Sequence, residues 1–101
     1  MKNIIINNVN YKVIKDVKDA VDVQLLTEKI TDYYDSFDFI VGDWAYGKVR
    51  LKGFNNKNNK NFKPTNDIDS VEEYIKSNCA YGCRWFILEK NKDWKHKIYL
   101  L

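Results

Sequence analysis

Residues 39–54 read FIVGDWAYGKVRLKGF, and this stretch decides the fold. Apolar and polar residues alternate strictly from Lys48 to Phe54, which predicts a strand with one buried face. The β-prone run at 37–41 predicts a second strand before it. Residues 42–47 hold two glycines beside aromatic residues, so we expect them to form the turn of a β-hairpin.

The segment before this hairpin predicts another hairpin and a helix. Alternation over 4–6 and again over 11–17, on either side of an Asn-Asn pair, is typical of two short strands joined by a turn. An apolar face at helical spacing then predicts a helix over about 20–34. Asp19 is its expected N-cap.

The segment after the hairpin predicts a loop, a second helix and a last strand. Residues 55–66 are mostly Asn and Lys without periodicity, and we expect a mobile loop. Ser70 and Glu73 match a capping box at the start of a helix, and Gly82 suits its left-handed end. The strand at 83–90 is apolar on both faces, which predicts a central position in the sheet.

The predicted element order is therefore ββαββαβ. Strands outnumber helices and hairpins are present, so we expect an α+β fold with a mixed or mostly antiparallel sheet and two helices packed on it. A length of 101 residues allows a single domain, which we place at 1–90. The basic tail at 91–101 is expected to add an edge strand or to dock as an arm.

The N-terminus carries no recognisable targeting segment. Its apolar run, 4–6, is three residues long. A signal peptide needs about 7–15 apolar residues, and a membrane-spanning helix needs about 20. We therefore expect a cytoplasmic protein with no membrane partner.

Charge is distributed unevenly along the chain. The net charge is only +3, but 44–66 holds six cations and no acid, and 90–101 is also basic. The two remaining segments, 1–43 and 67–89, are acidic. This separation predicts an anionic partner, such as RNA or a ribonucleoprotein, for the basic hairpin.

The chain offers little metal or catalytic chemistry. A structural zinc site needs four nitrogen or sulfur ligands. The sequence offers only three, namely Cys79, Cys83 and, in the tail, His96. In a cytoplasm both cysteines would be reduced, and we interpret them as small buried hydrophobic residues. We predict no metal, no cofactor and no catalytic residue, and we favour a protein that is not an enzyme.

The candidate binding residues lie in and around the hairpin. Exposed aromatic side chains can stack on bases, and cations spaced two apart on a strand can follow phosphates. Trp44 could instead cover the core, and Asp43 could either orient a ligand or cap the turn. The residues selected are Asp43, Trp44, Tyr46, Lys48, Arg50, Lys52, Tyr81 and Arg84.

The two arginines of the chain each follow an Ala-Tyr-Gly triplet. Arg50 follows the triplet at 45–47, and Arg84 follows the triplet at 80–82. Arginine provides bidentate hydrogen bonds that lysine does not, so the pair could converge on one anion. Alternatively, each guanidinium packs on a nearby Trp or Tyr.

Residues 39–54 also closely resemble the signature segment of the YutD-like proteins. A second part of the resemblance covers 74–88, where the family pattern Cys-x-x-Gly-Cys matches Cys79 to Cys83. These are small proteins of low-GC Gram-positive bacteria with no established activity. The resemblance implies an α+β domain in a bacterial cytoplasm, over about residues 1–90.

Three functional hypotheses follow. The first is a non-enzymatic nucleic-acid-associated module that binds RNA rather than DNA, since no basic helix suits a major groove. The second is a protein-interaction adaptor that uses Trp44, Tyr46 and Arg50 as hot spots. The third is a small anion-binding enzyme with Asp43, Arg50 and Arg84 in one pocket. Nothing in the sequence indicates the oligomeric state.

Overall fold

The computed structural model describes residues 2–78 and 82–91. Its five strands form one sheet in the order β1-β2-β5-β3-β4, and all neighbouring strands are antiparallel. The elements are β1 (Asn3–Ile6), β2 (Val9–Val17), α1 (Val23–Lys29), β3 (Phe39–Ala45), β4 (Lys48–Phe54), α2 (Val71–Asn78) and β5 (Trp85–Lys90). The predicted α+β fold and its ββαββαβ order are confirmed.

The first hairpin and the central strand follow the prediction. Asn7 and Asn8 have φ of 51° and 67°, the left-handed values that a two-residue hairpin turn requires. Strand β5 lies between β2 and β3, with one face buried against each helix layer. The apolar character of both its faces therefore reflects its central position.

The first helix is shorter than predicted. In place of one helix over 20–34, the chain forms α1 and then a 3₁₀ helix, Asp32–Ser36, with extended backbone between them. The N-cap is Asp22, whose Oδ1 accepts a hydrogen bond from the Leu25 N–H at 3.1 Å. Asp19 has a φ of 53°, and this left-handed conformation differs from the extended one that an N-cap adopts.

The turn of the β3–β4 hairpin is also shorter than predicted. Strand β3 continues through Gly42, Asp43 and Trp44, and only Tyr46 and Gly47 form the turn, with φ of 54° and 76°. The predicted turn at 42–47 was wrong because Gly42 has a packing role. A Cβ at this position would lie 2.2 Å from the ring of Phe86 on the neighbouring strand.

Helix α2 begins differently from the prediction as well. A 3₁₀ helix, Ile68–Ser70, leads directly into it, and the Ser70 hydroxyl donates to the carbonyl of Asp67 at 2.7 Å. Ser70 is therefore not an N-cap, and the predicted capping box does not form. The predicted apolar face of the helix is confirmed, because Val71, Tyr74 and Ile75 pack on the sheet.

The alternation of the strands sends neighbouring side chains into two separate cores. One face of the sheet packs with α1 and buries Ile40 and Phe86, with Trp44 against them. The other face packs with α2 and buries Val41 and Phe54. Because successive residues of a strand point to opposite faces, Asp43 and Arg50 lie on the α2 face.

The Asn-rich loop at 55–66 has no strand and ends in the 3₁₀ turn Pro64–Asn66. Asn55 is completely buried; its Oδ1 accepts from the Asp38 N–H at 2.9 Å and from Asn59 Nδ2 at 3.0 Å. These bonds anchor the loop, and its mobility stays a prediction.

Two further sequence expectations concern the C-terminal part. Cys83 is half-buried and disulfide-bonded, so the expectation of a reduced thiol is wrong for this structure. Cys79, and all of the predicted tail after Asn91, lie outside the described residues. No helix in the described part of the chain is long and apolar enough to cross a membrane.

Candidate functional site

Three chain segments meet at the end of the sheet where β3 turns into β4. The Lys18 ammonium donates to the carbonyl of Gly82 at 2.6 Å, and the Arg84 guanidinium donates to the carbonyl of Asp19 at 3.0 Å. The Trp44 N–H donates to the carbonyl of Arg84 at 3.0 Å. We call this surface the hairpin end and define it by Asp43, Trp44, Tyr46, Lys48, Arg50 and Arg84.

Asp43 and Arg50 form a cross-strand ion pair at the hairpin end. Asp43 is 1% exposed, and its carboxylate accepts from Arg50 Nε at 3.2 Å and from Nη2 at 2.5 Å. Nη2 also donates to the carbonyl of Asn78 at the end of α2, at 2.6 Å. The hydrogen bond to Asp43, together with its charge, raises the pKa of Arg50.

The role of Asp43 is thus to hold Arg50, an alternative that the sequence analysis did not consider. Asp43 lies within β3, so it cannot cap the turn. A turn at Tyr46–Gly47 places Asp43 opposite Arg50 in the antiparallel register. Knowing that the turn has two residues would have been enough to predict the pair.

Trp44 and Arg84 form a second contact on the other face of the sheet. The Arg84 guanidinium carbon lies 4.4 Å from the centroid of the Trp44 ring, in a cation–π contact. Trp44 Nε1 donates to the carbonyl of Ala20 at 2.9 Å, and the ring packs on the α1-side core. The two arginines therefore do not converge, and Asp43, Arg50 and Arg84 do not share a pocket.

Tyr46 and Lys48 are exposed members of the hairpin end that belong to neither of the two arginine pairs. Tyr46 is fully exposed and adopts a left-handed φ of 54°. This conformation costs a residue with a Cβ about 1–2 kcal/mol. Gly47 follows it in open space, with no atom within 4 Å of a Cβ built there. The turn therefore holds a tyrosine side chain away from the body of the protein.

The two remaining predicted residues are not part of the hairpin end. The Lys52 ammonium lies 5.0 Å from the Phe54 ring centroid and 4.8 Å from that of Tyr74, so it faces α2. Burial is the main cause that raises the pKa of Tyr74, and the charge of Asp43 adds to it. Tyr81 lies outside the described residues.

A groove that the sequence did not predict lies at the free edge of β4. We call it the basic groove. It has a volume of about 530 Å³, and its principal side chains are Tyr33, Phe37, Lys52, Lys60, Phe62 and Lys63. The Lys-Asn-Phe-Lys segment at 60–63 was a local signal for it. Its approach to the Asp32–Ser36 segment depends on the tertiary fold and could not be read from the sequence.

Comparison with known proteins assigns the chain to a family. Residues 5–89 match the YutD-like family, described as "Putative antitoxin YutD-like". The chain belongs to the YutD-like family. A curated relative, "Putative antitoxin YutD" of Bacillus subtilis (strain 168), is 33% identical over 87 residues, which cover 86% of this chain and 96% of the relative.

A solved YutD-like structure has the same architecture. The solution NMR structure of protein yutD from B. subtilis superposes with a TM-score of 0.73 at 32% sequence identity. The match covers 90% of this chain and 83% of that one. The resemblance noted from the sequence and the α+β fold are both confirmed. Within residues 2–78 and 82–91, no group of three His, Cys, Asp or Glu residues is placed to hold a metal ion.

Proposed function

We propose that this YutD-like protein is a non-enzymatic adaptor that binds a partner protein through its hairpin end. The observation that carries the proposal is the fully exposed Tyr46, held outward on a left-handed turn. Tyrosine and arginine are, with tryptophan, the residue types enriched among those that dominate the binding energy of protein interfaces. Here Arg50 lies in β4, close after the turn that carries this tyrosine, and Arg84 lies directly before β5, where its carbonyl accepts a hydrogen bond from the Trp44 N–H.

The two arginines support a protein partner in particular. Arg50 is fixed by Asp43 and Asn78, and Arg84 is fixed by Trp44 and Asp19. Side chains that are already ordered lose less entropy on binding, which favours affinity. The charge of Arg50 is compensated by a carboxylate, so it would attract phosphate less than an unpaired cation would.

The name of the relative is consistent with this proposal. The B. subtilis protein carries the name "Putative antitoxin YutD". A protein toxin would be a partner of the proposed kind. The proposal keeps the cytoplasmic location that was expected from the sequence, although a disulfide at Cys83 is uncommon in a cytoplasmic protein.

The test is affinity capture from a nuclease-treated lysate of the source organism. We expect the tagged wild-type chain to retain a specific protein and the Tyr46→Ala variant to lose it. Tyr33→Ala is the matched control, because Tyr33 is also exposed but lies in the basic groove. Capture by the Tyr46 variant at the wild-type level would contradict the proposal. So would a partner that the wild-type chain captures from an untreated lysate but not from the nuclease-treated one.

A second candidate function is association with nucleic acid, the first hypothesis from the sequence. It is favoured by four lysines with no carboxylate ion pair among the described residues: Lys48, Lys52, Lys60 and Lys63. Unpaired cations bind phosphate with a release of counterions, so the affinity should fall steeply with salt. Titration with mixed cellular RNA at low salt tests this candidate, and a lack of binding would exclude it.

A further inference from the structure

We propose that the basic groove binds a nucleotide unit, an aromatic base with its phosphate, from either a free nucleotide or a single-stranded RNA. This site is separate from the hairpin end and does not depend on a protein partner there. It gives the nucleic-acid candidate a specific location. The groove combines positive charge, aromatic side chains and a loop whose backbone is hydrogen-bonded by asparagine side chains.

The groove has one sign of charge. Lys52, Lys60 and Lys63 line it, and no Asp or Glu is among its lining residues. Lys57 in the same loop differs, because its ammonium lies 3.7 Å from the carboxylate of Asp69. Lysine is a compact point charge suited to phosphate oxygens. Lys60 and Lys63 therefore form an electrostatic site for an anion, while the Lys52 ammonium lies over the Phe54 and Tyr74 rings.

The groove also offers aromatic surface. Tyr33 is 68% exposed, and its ring centroid lies 5.6 Å from that of Phe37. The Phe37 ring in turn lies against β4, where a Cβ on Gly53 would come within 2.2 Å of it. Phe62 adds a half-buried ring from the loop. Aromatic rings beside cations are the combination on which single-stranded nucleic acids stack.

Asparagine side chains in the loop of the groove form hydrogen bonds with the loop's own backbone. The Asn61 N–H donates to Asn59 Oδ1 at 2.7 Å, and the Lys63 N–H donates to Asn66 Oδ1 at 2.8 Å. Asn66 Nδ2 also donates to the carbonyl of Asn61 at 3.2 Å. Phe62, between these residues, is therefore presented on ordered backbone. A volume of about 530 Å³ lies within the range typical of small-molecule sites.

An acidic peptide is the main competing occupant. Strand β4 is an edge strand, and an added peptide strand could pair with it. Such a peptide would satisfy the lysines through its carboxylates but would not need the exposed ring of Tyr33. The joint presence of lysines and aromatic rings favours a nucleotide, and the peptide becomes an outcome of the test.

The experiment measures binding of a fluorescein-labelled oligouridylate by anisotropy. We expect the K60A/K63A double variant to weaken binding by about tenfold or more, and Tyr33→Ala by about tenfold, as base stacking on one aromatic ring would predict. Lys57→Ala is the matched control and should change affinity less than twofold. NMR titration with uridine monophosphate and with inorganic phosphate then distinguishes the sources of the ligand.

Each outcome decides the proposal. Shifts of the groove amides with the monophosphate support a free nucleotide, and binding of the oligonucleotide alone supports an RNA strand. Unchanged oligonucleotide binding by K60A/K63A would overturn the groove while leaving nucleic-acid association elsewhere on the chain. Two further results would show that the groove recognises charge alone and would overturn the nucleotide proposal. One is that inorganic phosphate shifts the groove amides as much as uridine monophosphate does, and the other is that an oligoglutamate peptide binds as tightly as the oligouridylate. An absence of all binding would reject both the groove and the second candidate.

Discussion

The carboxylate of Asp43 and the guanidinium of Arg50 face each other across the β3–β4 hairpin, one buried and the other half-exposed. The pair lies on the sheet face that α2 covers. Through its contact with the Asn78 carbonyl, Arg50 also joins the hairpin to the end of that helix. One side chain thus connects the sheet, a buried charge and a helix terminus.

Replacement of Arg50 by alanine should destabilise the protein more than any other single truncation of a cation at the hairpin end. It leaves the buried carboxylate of Asp43 without its donor, and an unpaired buried charge is strongly unfavourable. Urea unfolding measures the effect as a lower midpoint, and Lys48→Ala is the exposed control. The D43N/R50A variant should recover part of the loss, and a double variant that is merely additive would contradict the coupling.

Replacement of Gly42 by alanine should destabilise the fold by about 1–3 kcal/mol, the usual cost of overpacking. The new Cβ would meet the Phe86 ring, which is completely buried and cannot move aside freely. Thermal unfolding followed by circular dichroism measures the change. Combining Gly42→Ala with Phe86→Leu should cost less than the sum of the two single changes. Full additivity would show that the ring is not the obstacle.

Replacement of Asn55 by alanine should release the Asn-rich loop. It removes buried hydrogen bonds to the Asp38 N–H and to Asn59, at a cost of about 1–3 kcal/mol. Compared with the wild type, the variant should show faster hydrogen exchange at the amides of 55–66, with a smaller change at those of β3. Asn58→Ala is the control, since Asn58 is exposed and lies in the same loop. Equal exchange in both variants would mean that Asn55 is not the anchor.

Stability should fall at alkaline pH because of Tyr11. Burial, with a smaller effect from the charge of Asp35, raises its pKa from 10.0 to about 12. Above pH 10 the unfolded chain loses this proton while the folded protein keeps it, so stability falls as the pH rises toward 12. The slope for one group reaches about 1.4 kcal/mol per pH unit.

Tyr11→Phe provides the comparison for this pH effect. Urea unfolding from pH 8 to 11.5 should give a flatter profile for the variant than for the wild type, since the lysines are common to both. Parallel profiles for the two proteins would exclude Tyr11 as the cause of the alkaline loss.

Local pattern was sufficient for most of the fold. Alternation in β4 predicted the hairpin, and the two apolar faces of β5 predicted the central strand. Both predictions succeeded because the pattern of apolar residues within a strand depends on which of its faces are buried. The hairpin turn was predicted too long. A glycine is needed at position 42 because the ring of Phe86 packs against it. Phe86 is far away in the sequence and is brought next to Gly42 only by the pairing of β3 with β5. Such packing roles leave no local signal.

The candidate site divides in the same way. Tyr46, Lys48 and Arg50 could be predicted together because they belong to one hairpin. The contact partners of Trp44 and the helix contact of Arg50 could not be predicted. These partners lie directly before β5, in the segment before α1 and at the end of α2. The basic groove likewise joins segments that are far apart in sequence.

The place of β5 has a consequence for how the protein is made on the ribosome. It is the last described strand along the chain, yet it joins β2 to β3 in the middle of the sheet. Until residues 85–90 have left the exit tunnel, the two hairpins can form only as separate pieces, each marginally stable alone. The nascent chain must therefore keep its apolar strand faces from aggregating until β5 has emerged, and the two hairpins join into one sheet only then.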